Sequence, residues 1–268
     1  MRPWRVVAVG YANARPLLEG LGRDPRVQLS LGPPSWCADE LRAGRADVGL
    51  VPTVEVLTDP SLSWVGTGVI AARAGSMSTL MVADRPLTEL TAVRLSAASR
   101  STNALARIVL ARRLGTTVQW LEPHAADGGV PATRIARIVI GDPAFAKARR
   151  HAHVWDLAEL WREDQGVPFV FACFAAKGAV DPALVQRLDR ARAVGLSRLD
   201  AIAADVARDL ELPTRTMVRY FGQALHYELD DHDRAGVRAF ACLLGLPPRA
   251  VPGPGDAVAR DFVLGVPS

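Results

Sequence analysis

The sequence predicts an α/β protein of two lobes with a ligand cleft between them. Three observations predict it. Short apolar runs suited to buried strands alternate with segments whose apolar residues fall three and four apart, the pattern of strands interleaved with helices. The alternation comes in two blocks, with long apolar strands between them. At 268 residues and 49% hydrophobic, the chain is long and apolar enough to fill two modest cores. The sheets are expected to be largely parallel. Lobe I is expected to comprise residues 1–79 and 173–268, and lobe II residues 80–172.

The elements follow in order. "RVVAVG" (5–10) reads as a buried strand, and "RPLLEGL" as the start of a helix, with Leu17, Leu18 and Leu21 on one stripe. "VQLSLG" (27–32) alternates as a strand does. "PPSWCADELRAG" reads as a helix with Ser35 as N-cap and Gly44 just past its end. "ADVGLVP" (46–52) is the next strand. "TGVIAARAG" and "MSTLMVAD" are two strands through the middle of the chain. "AVRLSAASRSTNALARIVLARRLG" reads as strand, polar turn and helix, the helix carrying Leu105, Ile108 and Val109 inward and ending at Gly115. "TTVQWLEP", "ARIVIGDPAF" and "VPFVFACFAAKG" (167–178) are strands. The rest reads as helices: "DPALVQRLDRARAVGL" with Asp181 as N-cap and Pro182 at N1, then "LDAIAADVARDL", "PTRTMVRYFGQALHYEL" and "DHDRAGVRAFACLLG".

Composition narrows the function. The net charge of +4 comes from scattered Arg, with no basic block, aromatic stripe or zinc-finger spacing, which argues against nucleic acid and leaves room for an anionic small molecule. No run approaches the roughly 18 apolar residues of a membrane span, and the apolar start is too short for a secretory signal. Cys37, Cys173 and Cys242 form no pair or metal spacing and sit among apolar neighbours, so they read as buried, reduced thiols of a cytoplasmic protein. No metal, cofactor, phosphate-loop or nucleophile-elbow motif is present.

Four small, polar segments sit where strands should end: "YANARP" (11–16), "GSMST" (75–79), "AASRSTN" (97–103) and "IGDPA" (140–144). Ligands in such folds bind at the carboxyl ends of strands, where helices begin. Ser99, Arg100, Ser101 and Thr102 at a helix start form either a carboxylate or phosphate cradle or an ordinary N-cap. Asp142 reads as a helix N-cap with Pro143 at N1, and Glu55 as a solvated position on an otherwise apolar stretch. Asn13 is either a turn-former or a cleft amide.

In order and spacing, "YANARPLLEGL", "SWCADELRAGRADVGLVPTVEVL", "SRSTNALARIVL", "VIGDPAF", "DLAELWREDQGVPFVFACFAAK" and "YFGQALHYEL" resemble the chorismate dehydratases of the futalosine route to menaquinone, from about residue 5 to 246. The resemblance implies a type II periplasmic-binding-protein fold. It also implies a carbon–oxygen lyase that removes water from chorismate to give 3-[(1-carboxyvinyl)oxy]benzoate, without a cofactor or metal, as a monomer or homodimer. Asn13 matches the family's cleft Asn and is the expected catalytic residue. The expected substrate-binding residues are Ser78 (or Thr79, if no gap is placed after Gly75), Ser99, Arg100, Ser101, Thr102, Gly141 and Asp142. Gln165, Cys173 and Phe174 depart from the family pattern. With no His in the four segments, the enolpyruvyl carboxylate of the substrate is the favoured base, ahead of Glu55 and Asp142. The alternatives are a paralogue resembling dihydroxynaphthoate synthase and a non-catalytic solute-binding protein for a small carboxylate.

Overall fold

A computed structural model describes residues 2–114, 118–247, 249 and 251–252. The chain runs β1 (Trp4–Val9), α1 (Arg15–Leu18), β2 (Val27–Gly32), α2 (Pro34–Arg42), β3 (Val48–Pro52), α3 (Thr53–Thr58), β4 (Leu62–Ala72), β5 (Thr79–Ala83), β6 (Ala92–Arg94), α4 (Arg100–Leu114), β7 (Gln119–Leu121), β8 (Ile135–Ile140), α5 (Asp142–Ala148), β9 (His153–Asp156), α6 (Leu157–Gln165), β10 (Phe169–Lys177), α7 (Pro182–Ser197), α8 (Leu199–Asp209), α9 (Thr214–Arg219), β11 (Leu225–Glu228) and α10 (Asp231–Leu243).

The strands divide between two sheets, one per lobe. The first has the order β11-β4-β10-β3-β1-β2, and the second β7-β6-β8-β5-β9. The expectation of largely parallel sheets is overturned. β1 pairs in parallel with β2 and β3, and β6 with β7 and β8, but β10 lies antiparallel between β3 and β4, β11 runs antiparallel to β4, and β5 antiparallel to β8 and β9. The long apolar strands return against the direction of their neighbours, so each sheet is mixed. Run length and hydrophobicity carry no strand direction, which is why the pattern misled.

Both faces of the first sheet are covered. Val6 and Ala8 of β1, Val48 and Leu50 of β3 and Phe174 and Ala176 of β10 join one core with α1, α7 and α8. Val7, Val51, Cys173 and Ala175 join the other with α2 and α10. This is the two-residue alternation of a pleated strand. Trp161, Phe169 and Phe240 meet edge-on in the second core, with centroids 4.9–6.0 Å apart.

Several local expectations change. The helix after β1 stops at Leu18. Pro33, not Ser35, occupies the N-cap of α2, while Gly44 lies just beyond its end at φ +69°, as expected of a left-handed stop. Asp181 caps α7 by accepting from Ala183 N at 2.9 Å. The stretch read as one helix over "PTRTMVRYFGQALHYEL" breaks into α9, a π-helical turn Tyr220–Ala224 and strand β11. Cys37 and Cys173 are buried but Cys242 is exposed. The proposed stop of α4 at Gly115 lies outside the described residues. Among the described residues no helix is long and apolar enough to cross a membrane.

One packing contact positions the site. α7 lies so close to α1 that a Cβ on Gly195 would fall 1.9 Å from the Pro16 carbonyl oxygen. The short segment after β1 is therefore braced from behind by a helix whose backbone touches its own.

Candidate functional site

A cleft lies at strand ends of both sheets. Val9, Tyr11, Asn13, Pro34, Pro52 and Ile70 line it from the side of the first sheet, and Thr79, Ser99, Thr102, Ile140 and Gly141 from the side of the second. Phe171 and Ala172 of β10 complete the wall. Its volume is about 410 Å³ with its open mouth included. The walls are mostly apolar, and the polar groups are few and convergent, the usual make-up of a small-molecule site. No Lys, Arg or His is among these lining residues, so any anion held there relies on hydroxyl, amide and helix-end donors.

Asn13 sits in a 3₁₀ turn, Ala12–Ala14, at the carboxyl end of β1. Its side-chain oxygen is buried and accepts no hydrogen bond from the described residues. A buried carbonyl without a donor costs about 1–3 kcal/mol, so this amide is poised for a partner from outside the chain. It does not form the side-chain-to-backbone bond of a turn-forming Asn.

The Ser99–Thr102 segment splits into two pairs. Ser99 and Thr102 face the cleft, three residues apart on one side of a helix start. Ser99 Oγ accepts from Thr102 N at 3.2 Å and from Thr102 Oγ1 at 3.0 Å. With both lone pairs engaged, the Ser99 hydroxyl has only its own proton left to offer. Asn103 fixes the loop before them, accepting from Ser96 N at 2.9 Å and donating to Ser96 O at 2.8 Å.

Arg100 and Ser101 turn the other way. Ser101 is fully buried and accepts from Val54 N in the first turn of α3 at 3.0 Å. Arg100 reaches Glu55 at 3.0 Å and Asp39 at 3.0 Å. Glu55 is buried, 2% exposed, contrary to a solvated position, and it also holds Arg42, which reaches Asp59 at 3.0 Å. Both Glu55 oxygens are thus engaged by guanidinium groups, which leaves it unsuited to act as a base. Four consecutive residues of a helical start point in different directions, and a linear reading does not separate them.

The crossing from β4 to β5 is tied at several points. Thr79 lines the cleft, while the buried Ser78 points away from it and shares a 2.7 Å hydrogen bond with the Tyr220 hydroxyl. Burial pushes the Tyr220 hydroxyl well above its usual pKa, against the Ser78 hydrogen bond. Asp156 accepts from Met77 N at 2.7 Å and Ser76 Oγ at 3.2 Å, and also caps α6 through Ala158 N at 3.0 Å. Sequence reasoning missed Tyr220 and Asp156, because each acts on residues far away in the chain.

Gly141 precedes α5 with φ +65° and ψ −152° and donates its N–H to Ser78 O at 2.8 Å. It is the N-cap of α5. Asp142 therefore occupies N1 and Pro143 N2, one place later than expected. The Asp142 carboxylate does not cap its own helix. It crosses to lobe I and accepts from Ala12 N at 2.9 and 3.2 Å. Burial raises its pKa, opposed by the Ala12 amide and by Arg15. Burial, and the nearby Asp142 charge, also raise the pKa of Tyr11.

A crystal structure of an Archaeoglobus fulgidus protein superposes with a TM-score of 0.68 at 11% identity, covering 90% of this chain and 96% of that one. The alkanesulfonate-binding protein of Xanthomonas axonopodis pv. citri, bound to MOPS, gives 0.61 at 16% identity over 92% and 96%. The fold is that of the periplasmic binding proteins, two α/β lobes around a ligand cleft. Within that fold, residues 4–244 match the menaquinone biosynthesis family, and the chain belongs to it. A chorismate dehydratase of Thermus thermophilus is 42% identical over 96 residues, a match that spans 35% of each chain, well short of that relative's full length.

Proposed function

We propose that the protein is a chorismate dehydratase, a hydro-lyase that converts chorismate to 3-[(1-carboxyvinyl)oxy]benzoate and water in the cytoplasm. Membership of the menaquinone biosynthesis family supports this reading. The single observation that carries it is the buried Asn13 oxygen, without a donor among the described residues, beside the cleft-facing hydroxyls of Ser99 and Thr102. In this reading the lobes divide as 1–79 with 173–268 against 80–172, and the substrate lies between them.

The chemistry asks for orientation more than for a strong protein base. The ring proton beside the enol ether is lost, and the neighbouring hydroxyl leaves. The ring becomes aromatic. The electron pair released at carbon is conjugated through a ring double bond to the ring carboxylate, so a carbanion is stabilised when that carboxylate is held by fixed donors. The Ser99 hydroxyl and the amides of Arg100 and Ser101 at the start of α4, the first-turn N–H groups that Ser99 does not already accept, supply such donors. The enolpyruvyl carboxylate accepts the ring proton and passes it to the leaving hydroxyl, which departs as water, so the carboxylate ends in the form in which it began. Asn13 offers Oδ1 to the proton of the leaving hydroxyl and Nδ2 to the enolpyruvyl carboxylate, holding both in line.

The test is direct. Purified protein incubated with chorismate yields the dehydrated benzoate by mass spectrometry, with no added metal or cofactor. Chorismate bound but returned unchanged favours the solute-binding alternative.

The split of the α4 start makes a further expectation. Ser99→Ala removes one hydrogen bond to a carboxylate, a loss of about 1.5–3 kcal/mol, and weakens substrate binding by about tenfold or more in calorimetry. Ser101→Ala instead leaves the Val54 amide buried without its acceptor, and lowers unfolding free energy by about 1–3 kcal/mol while sparing affinity. Equal loss of affinity in both variants would return Ser101 to the ligand.

A further inference from the structure

We infer that Asp142 is a positioning residue, which holds the Asn13 turn from the opposite lobe, rather than a ligand of the substrate; this rests on the functional reading above. The Ala12 amide is the donor that precedes Asn13, and both Asp142 oxygens lie within hydrogen-bond distance of it, at 2.9 and 3.2 Å. Asp142 is not among the residues lining the cleft, although its neighbour Gly141 is. The same pair of residues makes a second contact with the turn. A Cβ on Gly141 would lie 2.5 Å from the Tyr11 ring, so Tyr11 packs directly on the Gly141 backbone. Tyr11 and Ala12 are thus both gripped by the start of α5, and Asn13 follows them.

The consequence is geometric. The turn is braced on its own lobe by α1 and α7 and on the other lobe by Asp142. Asn13 is thus held from both lobes, and the contacts of Gly141 and Asp142 fix it relative to the hydroxyls of α4. Asp142 faces a backbone N–H donor, a role that needs an acceptor oxygen but not a negative charge. A neutral amide at this position can fill it, and a methyl group cannot. That difference separates this role from those of a base or of a charged group acting on the substrate.

The experiment compares wild type, Asp142→Asn and Asp142→Ala as full-length folded proteins. Asn keeps an acceptor for Ala12 N–H. With chorismate, Asp142→Ala is expected to lose about tenfold or more in kcat with KM changed by less than about threefold, and Asp142→Asn to keep kcat within about threefold of wild type. Without any substrate, amide hydrogen exchange in the segment around residues 11–14 is expected to quicken in Asp142→Ala and to stay near wild type in Asp142→Asn. An Asn variant as poor in kcat as the Ala variant would show that the charge is required, and would overturn the proposal. So would a rise in KM at unchanged kcat, the mark of a lost ligand contact, or exchange that is the same in all three proteins. If wild type leaves chorismate untouched, the functional reading fails on its own, and the exchange measurement decides the Asp142 contact by itself.

Discussion

Asn13→Leu gives a folded protein whose turnover of chorismate falls by about tenfold or more. Leu has the branching and the side-chain heavy-atom count of Asn in a somewhat larger volume, but neither a donor nor an acceptor. The native amide oxygen is buried and receives no hydrogen bond from the described residues, so its removal breaks no hydrogen bond with them at that atom. Stability is therefore expected to change by less than about 1 kcal/mol, while a reaction that depends on holding two substrate groups in line loses its guide. Asn13→Asp is a useful companion. It retains an acceptor but places a second negative charge near Asp142 and facing a substrate with two carboxylates. It should bind chorismate less well than wild type even where its fold is intact. Steady-state kinetics beside chemical denaturation distinguishes the outcomes. A Leu variant with normal turnover per folded molecule and a lowered midpoint would make Asn13 a turn residue.

Gly141→Ala carries the largest structural penalty expected in the site. The backbone there, φ +65° and ψ −152°, belongs to a region that only glycine enters readily. The added methyl would also meet Tyr11 Cδ2 at 2.5 Å and Cγ at 2.6 Å. Relief requires the Tyr11 ring, the Gly141–Ser78 hydrogen bond or the interlobe contact to give way. We expect a loss of about 1–3 kcal/mol from strain alone, a further cost from overpacking, and a fall in kcat/KM larger than that of any single hydroxyl deletion in the cleft. Gly20→Ala separates the two causes. Gly20 has φ +81° but open space where its Cβ would lie, so this variant shows the cost of a left-handed backbone without a collision. If the two variants unfold at the same denaturant concentration, the Gly141 backbone and its packing on Tyr11 together add nothing beyond the cost of an ordinary left-handed glycine.

Much of the architecture was legible from the residues because it is local. Period-two and helical spacing marked most of the strands and helices, Asp181 and Gly44 announced a helix start and a helix end, and the four polar segments at strand ends led to the cleft. What was not legible depends on residues distant in the chain. Glu55 looks solvated until Arg42 and Arg100 close over it from two other helices. Ser101 looks like part of an anion cradle until the Val54 amide claims it. Asp142 looks like a cap for its own helix until Ala12 is brought beside it. The "LHYE" strand was hidden because a short segment following a helix carries the same apolar spacing whether it continues the helix or pairs at the edge of a sheet, and here β4 supplies that edge.

The strand order of the first sheet also sets a timetable for biosynthesis. β4 pairs with β10 and β11 and with no earlier strand. As the chain emerges from the ribosome, β1, β2 and β3 can associate at once in parallel, but β4 has to wait until residues beyond 168 have been made. In the interval every strand of the second sheet, from Thr79 to Asp156, is synthesised and has all its partners within that span. Lobe II can therefore form as a complete unit while lobe I still presents the open edge of β3 and both edges of β4. The facing edges of β3 and β4 are joined only when β10 slots between them. A truncation before β10 leaves both edges open, and open edges of apolar strands are where nascent chains associate with one another.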